Sequence, residues 1–209
     1  ASLLKAPLAM GVFKRYESKT ITPNQKLALT DAEKDPRFGS LWKQKSGTKL
    51  TVDQTLQQLL IYSDNTVQEL LLKLLTGAVI DDVFDALDIP KTRDTTNHPT
   101  VTAKNYSSIL RCLYLACYLT KEHSNTLLTI LTQTMFTDKL PAGVPGNIPV
   151  AHKIGVAESS SSSIYTDCGI IYYPKRPYVL CVMIESDEKT ATKTISEISK
   201  IVYDFVNSQ

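Results

Sequence analysis

A serine hydroxyl becomes a useful nucleophile when a neighbouring base takes its proton. Ser2 and Lys5 offer such a pair at the head of the stretch Ser2-Leu3-Leu4-Lys5-Ala6-Pro7-Leu8-Ala9-Met10. Residues three apart share a helix face, so the lysine amine can reach the hydroxyl. A neutral lysine there is a candidate general base. A lone Ser-x-x-Lys is a weak signal in 209 residues. It gains weight from two later stretches, Ser63-Asp64-Asn65 and Lys153-Ile154-Gly155.

The elements that must position these groups can be read from periodicity. Residues 3–17 predict a helix with Leu4, Leu8, Val12 and Phe13 on its apolar side. Pro7 fits because the first turn tolerates a missing N–H. Residues 18–50 are polar and mixed. Thr51 with Gln54 forms a capping-box pattern ahead of Leu56, Leu59 and Leu60. Ser63-Asp64-Asn65 then interrupts two helices, the second carried by Val67, Leu70, Leu71, Leu74 and Leu75 and closed near Gly77. A short helix over 80–87, a loop from Pro90 to Pro99, and helices over 102–119 and 123–135 follow. After Pro149 the chain turns to β, with strands expected over 150–156, 167–173 and 178–184, rich in Ile, Val and Tyr. The serine run Ser159–Ser163 reads as a hairpin loop. Ile195, Ile198, Ile201, Val202 and Phe205 mark a closing amphipathic helix. The expected organisation is α+β, with a helical part over 1–141 and a sheet-and-helix part over 142–209 that together make one catalytic unit.

Bulk properties narrow the function. The chain is 43% hydrophobic and 21% charged, with a net charge of +2, which is ordinary for a globular protein. Lys and Arg are scattered rather than clustered, which argues against a nucleic-acid partner. No apolar run reaches the length of a membrane span, and no leader pattern precedes Ser2, as in a mature, trimmed or partial chain. The four cysteines (Cys112, Cys117, Cys168, Cys181) and three histidines (His98, His123, His152) complete no zinc pattern, and no metal or cofactor is expected. Cys112 and Cys117 stand five apart, off a common helix face. A hairpin that pairs Tyr173 with Tyr178 sets Cys168 opposite Met183, which leaves Cys181 on the diagonal. Buried free thiols are therefore favoured over disulfides.

Taken singly, each motif has an ordinary reading: Ser2 as a helix N-cap, Asn65 as a cap, Ser63-Asp64 as a turn, Lys153 as a surface lysine. His152 reads as a packing residue and Asp64 as a cap or brace of its loop. What sets the motifs apart is their order, S-x-x-K, S-D-N and K-x-G, each in a fitting context. In that order the chain resembles the superfamily of class A β-lactamases and penicillin-binding serine peptidases. Leu50-Thr51-Val52-Asp53-Gln54, Val150-Ala151-His152-Lys153 and Asp167-Cys168-Gly169-Ile170-Ile171-Tyr172 extend the resemblance over essentially the whole chain.

The resemblance implies a helical domain beside an antiparallel sheet, an extracytoplasmic location and acyl transfer. Ser2 is then the nucleophile and Lys5 its base. Ser63 and Lys153 relay a proton to the leaving nitrogen, and Asn65 holds Lys5 and the substrate amide. The N–H groups of Ser2 and Val156 form the oxyanion hole, and Lys153 with the Ile154-Gly155 strand receives the substrate carboxylate. The substrate is a β-lactam or a D-alanyl peptide of peptidoglycan.

Three departures qualify this expectation. The loop from Leu87 to Pro99 holds no glutamate to activate a deacylating water; Asp88 and Asp94 are its only carboxylates, and Asp94 reads as a solvated loop aspartate. Ile154 stands where the family has a threonine hydroxyl for the substrate carboxylate, and neither Pro141 nor Arg176 compensates. The family's N-terminal helix and two strands do not precede Ser2, so a missing N-terminal segment of the same fold is expected as a partner. A peptidase-like enzyme with slow β-lactam deacylation is the leading expectation. The alternatives are a catalytically degraded binding or regulatory module, and a β-lactamase with a non-standard deacylation route.

Overall fold

The computed structural model describes residues 2–76, 78–158 and 162–209. Gly77 and the Ser159–Ser161 part of the serine loop lie outside the described residues. Ser2–Leu4 form a 3-10 turn that runs directly into helix α1 (Lys5–Glu17). Strands β1 (Lys26–Ala28) and β2 (Lys49–Thr51) pair antiparallel and return the chain to helix α2 (Val52–Ile61). Its N-terminus is the expected capping box: Gln54 N–H donates to Thr51 Oγ1 at 3.1 Å, and Thr51 N–H to Gln54 Oε1 at 2.9 Å.

Helices α3 (Asn65–Leu75) and α4 (Val79–Ala86) follow, then strands β3 (Thr92–Arg93) and β4 (Pro99–Thr100), which pair as a small hairpin where only a loop was expected. Helix α5 covers Ala103–Leu115 and α6 Lys121–Leu131. Both stop short of their sequence-based limits, and α5 for a clear reason. Ala116 adopts a left-handed conformation (φ 51°) and its N–H bonds back to Leu113 O.

The main sheet has the order β5-β6-β7, from β5 (Val150–Glu158), β6 (Ser163–Ile171) and β7 (Tyr178–Glu185), all antiparallel. Alternation along β5 divides its side chains between two faces. Ala151, Lys153 and Gly155, with Thr166, Cys168 and Ile170 across the ladder, face the helices. Ala151, Cys168 and Ile170 join the principal core with Leu3, Leu8, Leu59, Leu71, Tyr106 and Leu131. On the other face, Val150 and Ile171 form a smaller core with Leu140, Val182 and Ile195 beneath helix α7 (Glu188–Asn207). An antiparallel sheet covered by helices on both faces is the α+β arrangement expected.

The apolar stripe of α7 is only half used. Ala191, Ile195 and Ser199 are buried, whereas Ile201 and Phe205 are 68% and 64% exposed; the helix packs on β6, β7 and the turn over residues 140–143. Among the described residues no helix is long and apolar enough to cross a membrane.

The expectation of free thiols is overturned: Cys112–Cys117 and Cys168–Cys181 are disulfides. The left-handed Ala116 folds Cys117 back so that its N–H meets Cys112 O at 3.0 Å, a proximity that continuous helical spacing cannot give. In the hairpin, Tyr178 pairs with Ile171 rather than Tyr173. This two-residue register difference sets Cys168 directly opposite Cys181.

Candidate active site

The site is assembled where the head of α1, the turn between α2 and α3, and strand β5 meet. Lys5 is the first residue of α1 and is fully buried. Its Nζ donates to Asn65 Oδ1 at 2.7 Å, lies 3.3 Å from Ser63 Oγ, and makes a short bond to Ser63 O. Lys153 is also fully buried, and its Nζ donates to Ser63 Oγ at 2.7 Å and to Ile154 O at 3.3 Å. One hydroxyl thus stands between two lysines drawn from elements far apart in sequence.

Burial decides the charge state of both amines, because an ammonium loses its hydration there. Desolvation brings the Lys5 pKa down to about 8, against the opposing pull of Asp64 and Asp35. Lys153 is pushed well below the ordinary lysine range, first by desolvation and then by the charge of Lys5, with Asp167 opposing. With its pKa near 8, about a tenth of Lys5 is neutral at pH 7, and that free amine is the form base chemistry requires.

The turn that presents Ser63 is locally strained. Ser63 adopts φ 56°, in the left-handed region that side chains seldom occupy. Asp64 holds the turn in place. Its Oδ1 caps α3 by accepting from Thr66 N at 2.9 Å and Val67 N at 3.3 Å. Its Oδ2 accepts from Ser40 N at 2.7 Å and Leu41 N at 2.9 Å. Gly39, at φ 90°, lets the preceding loop come this close, since a Cβ there would stand 2.1 Å from Asp64 Oδ2. Asp64 is therefore both cap and loop brace, as the sequence indicated.

Ser2 sits half-buried on the 3-10 turn, one step ahead of α1. The N-cap position of α1 is Leu4, with no side-chain cap bond, so Ser2 is not an ordinary N-cap. The hydrogen bonds of Lys5 Nζ run to Ser63 and Asn65; Ser2 meets the site through the packing of its turn on β5. Gly155 permits that packing, because a Cβ there would lie 3.3 Å from Leu3 N and 2.8 Å from Thr166 Oγ1. Ile154 is buried on the opposite face of β5, which it shares with His152 and Val156. Val156 is partly exposed at the outer end of this edge strand.

Several groups at the site were not singled out by sequence. The rings of Phe38 and Phe136 lie 5.8 Å apart, with Lys5 Nζ 6.0 Å from the first and Lys153 Nζ 6.0 Å from the second. Asp35 accepts from Asn65 Nδ2 at 3.3 Å. His152 proves to be more than packing: its Nδ1 lies 2.8 Å from buried Asp167 Oδ1, and Asp167 Oδ2 accepts from Leu140 N at 3.0 Å. This brace ties the sheet to the 3-10 turn Leu140–Gly143.

The loop carboxylates stay apart from these groups. Asp94 accepts from Thr96 N, Thr96 Oγ1 and His98 N within its own exposed turn. Asp88 is exposed. Arg176 stacks near Tyr173 at the β6–β7 turn, and Pro141 lies in the 3-10 turn.

A family model for the beta-lactamase enzyme family matches residues 1–206. The chain belongs to that family. Beta-lactamase VEB-1 of Pseudomonas aeruginosa is 25% identical to this family member over 230 residues, an alignment that covers 98% of the chain and 76% of that protein. A class A beta-lactamase from Bacteroides cellulosilyticus DSM 14838 superposes with a TM-score of 0.88 at 19% identity, covering 100% of this chain and 84% of that one. PBP-A, solved as a mutant in acyl-enzyme complex with penicillin G, gives a TM-score of 0.87 at 21% identity, with 100% and 81% covered. This family member therefore has the β-lactamase and penicillin-binding fold over its whole described length.

Proposed function

We propose that this chain is a penicillin-recognising serine acyl-enzyme hydrolase that acts by way of Ser2. The observation that carries the proposal is the buried Lys5–Ser63–Lys153 chain of contacts, closed by Asn65.

A neutral Lys5 has two N–H donors and one lone pair. With donors turned to Asn65 Oδ1 and Ser63 O, the lone pair is left for the Ser2 hydroxyl. Ser2 Oγ attacks the carbonyl carbon of a β-lactam or a D-alanyl amide, and its proton passes to Lys5 Nζ. The tetrahedral oxyanion is received by the N–H groups of Ser2 and Val156. The C–N bond then breaks, and the leaving nitrogen takes a proton through Ser63 Oγ, which Lys5 and Lys153 flank on either side. Asn65 holds the substrate amide, and an N–H of Lys153 turns from Ile154 O to donate to the substrate carboxylate beside the Ile154-Gly155 strand. The helical part (1–141) and the sheet part (142–209) act as one unit in this scheme, since each supplies one of the two lysines.

Deacylation is the slow step. No carboxylate of the Leu87–Pro99 loop is disposed to activate a water: Asp94 is spent on its own turn, and Asp88 is exposed. Ile154 has no hydroxyl for a substrate carboxylate, which weakens the binding of ordinary β-lactams. Both points favour a D-alanyl peptidase-like enzyme acting on peptidoglycan peptides over an efficient β-lactamase. An extracytoplasmic location accords with the two disulfides.

Ser2→Ala tests the nucleophile. The unaltered protein should take up a fluorescent penicillin in about one equivalent, and the variant none. Equal labelling of both would overturn the assignment. Nitrocefin separates slow from fast deacylation: a burst of about one equivalent followed by slow release is expected, and sustained rapid turnover would show an efficient β-lactamase instead.

A further inference from the structure

The segment ahead of β2 does more than connect elements. Residues 35–41 wrap the Ser63-Asp64-Asn65 turn through bonds at both ends. Asp35 N–H donates to Thr66 Oγ1 at 3.1 Å, Asn65 N–H donates to Phe38 O at 3.0 Å, and Ser40 and Leu41 donate to Asp64. This wrap delivers a nearly buried carboxylate, Asp35, to the far side of the Asn65 amide. Arg37 grips the same carboxylate. Its Nε lies 3.0 Å from both oxygens, its Nη2 2.5 Å from Oδ2, and its backbone N–H 2.8 Å from Oδ1.

We propose that the Asp35–Arg37 ion pair is a positioning unit for the acylation site, in which Asp35 fixes the orientation of the Asn65 amide and the two opposite charges tune Lys5. The inference rests on the reading of Lys5 as the base of acylation.

The orientation argument follows from donors and acceptors. An asparagine amide offers an acceptor on one side and donors on the other. Here Oδ1 meets the Lys5 amine and Nδ2 meets the Asp35 carboxylate. Flipping the amide would set Nδ2 against the N–H groups of Lys5 and Oδ1 against a carboxylate oxygen, so both contacts would turn repulsive. Asp35 therefore selects the state in which Asn65 accepts from Lys5.

The tuning argument rests on position and exposure. Asp35 is buried, whereas the Arg37 side chain is 80% exposed, so water screens the cation more than the anion. The other ionisable groups facing Lys5 are Asp64 from the turn, Glu69 from α3 and Lys153 from β5. Asp35 favours the protonated amine and Arg37 the neutral one. Removing either partner should therefore move the Lys5 titration, and in opposite directions.

The test is an NMR titration of Lys5 in lysine-labelled full chain, alongside the pH profile of penicillin acylation. Lys5 of the unaltered protein should titrate near 8. In Asp35→Asn the midpoint should fall by about half a unit or more, and in Arg37→Gln it should rise by a smaller amount. The Asp35→Asn/Arg37→Gln double variant should fall between the Asp35→Asn and unaltered midpoints. The acylation profile should follow these shifts, with a lower plateau in Asp35→Asn because the Asn65 amide loses its fixed orientation. A merely structural ion pair would lower thermal stability in both single variants and leave the midpoint unmoved. That result, or shifts of the same sign, would overturn the inference. Opposite shifts in a protein that no penicillin acylates would uphold the ion pair's action on Lys5 and sink the proposed function instead.

Discussion

Lys5→Ala is expected to slow acylation of Ser2 by about a thousandfold while the chain stays folded, the scale set by loss of a positioned general base. The alanine can take no proton from Ser2, and it strips Ser63 and Asn65 of their common partner. The pH dependence follows from the same residue. With a pKa brought down to about 8, Lys5 is mostly protonated at pH 7 and mostly neutral at pH 9. The acylation rate should thus rise by about tenfold across that interval. Stopped-flow measurement with a fluorescent penicillin reads both effects. A rate that is flat over pH 7–9, or a Lys5→Ala variant within about threefold of the unaltered protein, would contradict Lys5 as the base.

Asp64→Ala is the substitution expected to cost most in stability. One buried carboxylate satisfies four backbone N–H groups, two at the start of α3 and two in the 40–41 turn. Charge-assisted bonds of this kind contribute more than neutral ones, and removing their acceptor strands every donor at once. A loss of about 4 kcal/mol is a large share of the stability of an ordinary domain. It corresponds to a fall in Tm of about 10 °C for a chain of this size. Thermal unfolding followed by circular dichroism measures it, and a fall under about 3 °C would show that water replaces the carboxylate without penalty. Acylation should fail as well, since Ser63 at φ 56° depends on its neighbour to hold the turn.

Local chemistry makes much of this legible in the sequence. Thr51 and Gln54 announced the start of α2 because a capping box is a contact between near neighbours. Ser63-Asp64-Asn65 stood out because polar residues interrupted two leucine-rich helices. Lys153 stood at the head of a β-rich region, and its full burial excludes the surface-lysine reading. The hairpin register was harder. Turn residues at Pro174 and Pro177 admit more than one pairing, and a two-residue difference separates a cysteine diagonal from a disulfide. Cys112–Cys117 was hidden for another reason: only the left-handed Ala116 bends the chain enough to join residues five apart.

What stayed invisible came from long-range packing. Asp35, Phe38 and Phe136 carry no motif. Asp35 becomes part of the site because Gly39 and Asp64 fold one loop onto a turn that follows some thirty residues later in the chain. The Phe38 and Phe136 rings meet beside the two lysines from opposite ends of the helical part. Ile154 shows a converse case. Sequence marked it as a lost hydroxyl, and the structure adds that its side chain is buried on the face of β5 that carries His152.

The central claim is that Ser2 forms a covalent acyl-enzyme that is slow to clear. Intact-protein mass spectrometry after mixing with excess benzylpenicillin, sampled over time and followed by peptide mapping, tests it most directly. A single adduct on the peptide holding Ser2, complete early and still present after hours, is the predicted result. An unmodified protein at every time point, or an adduct on any other residue, would contradict it.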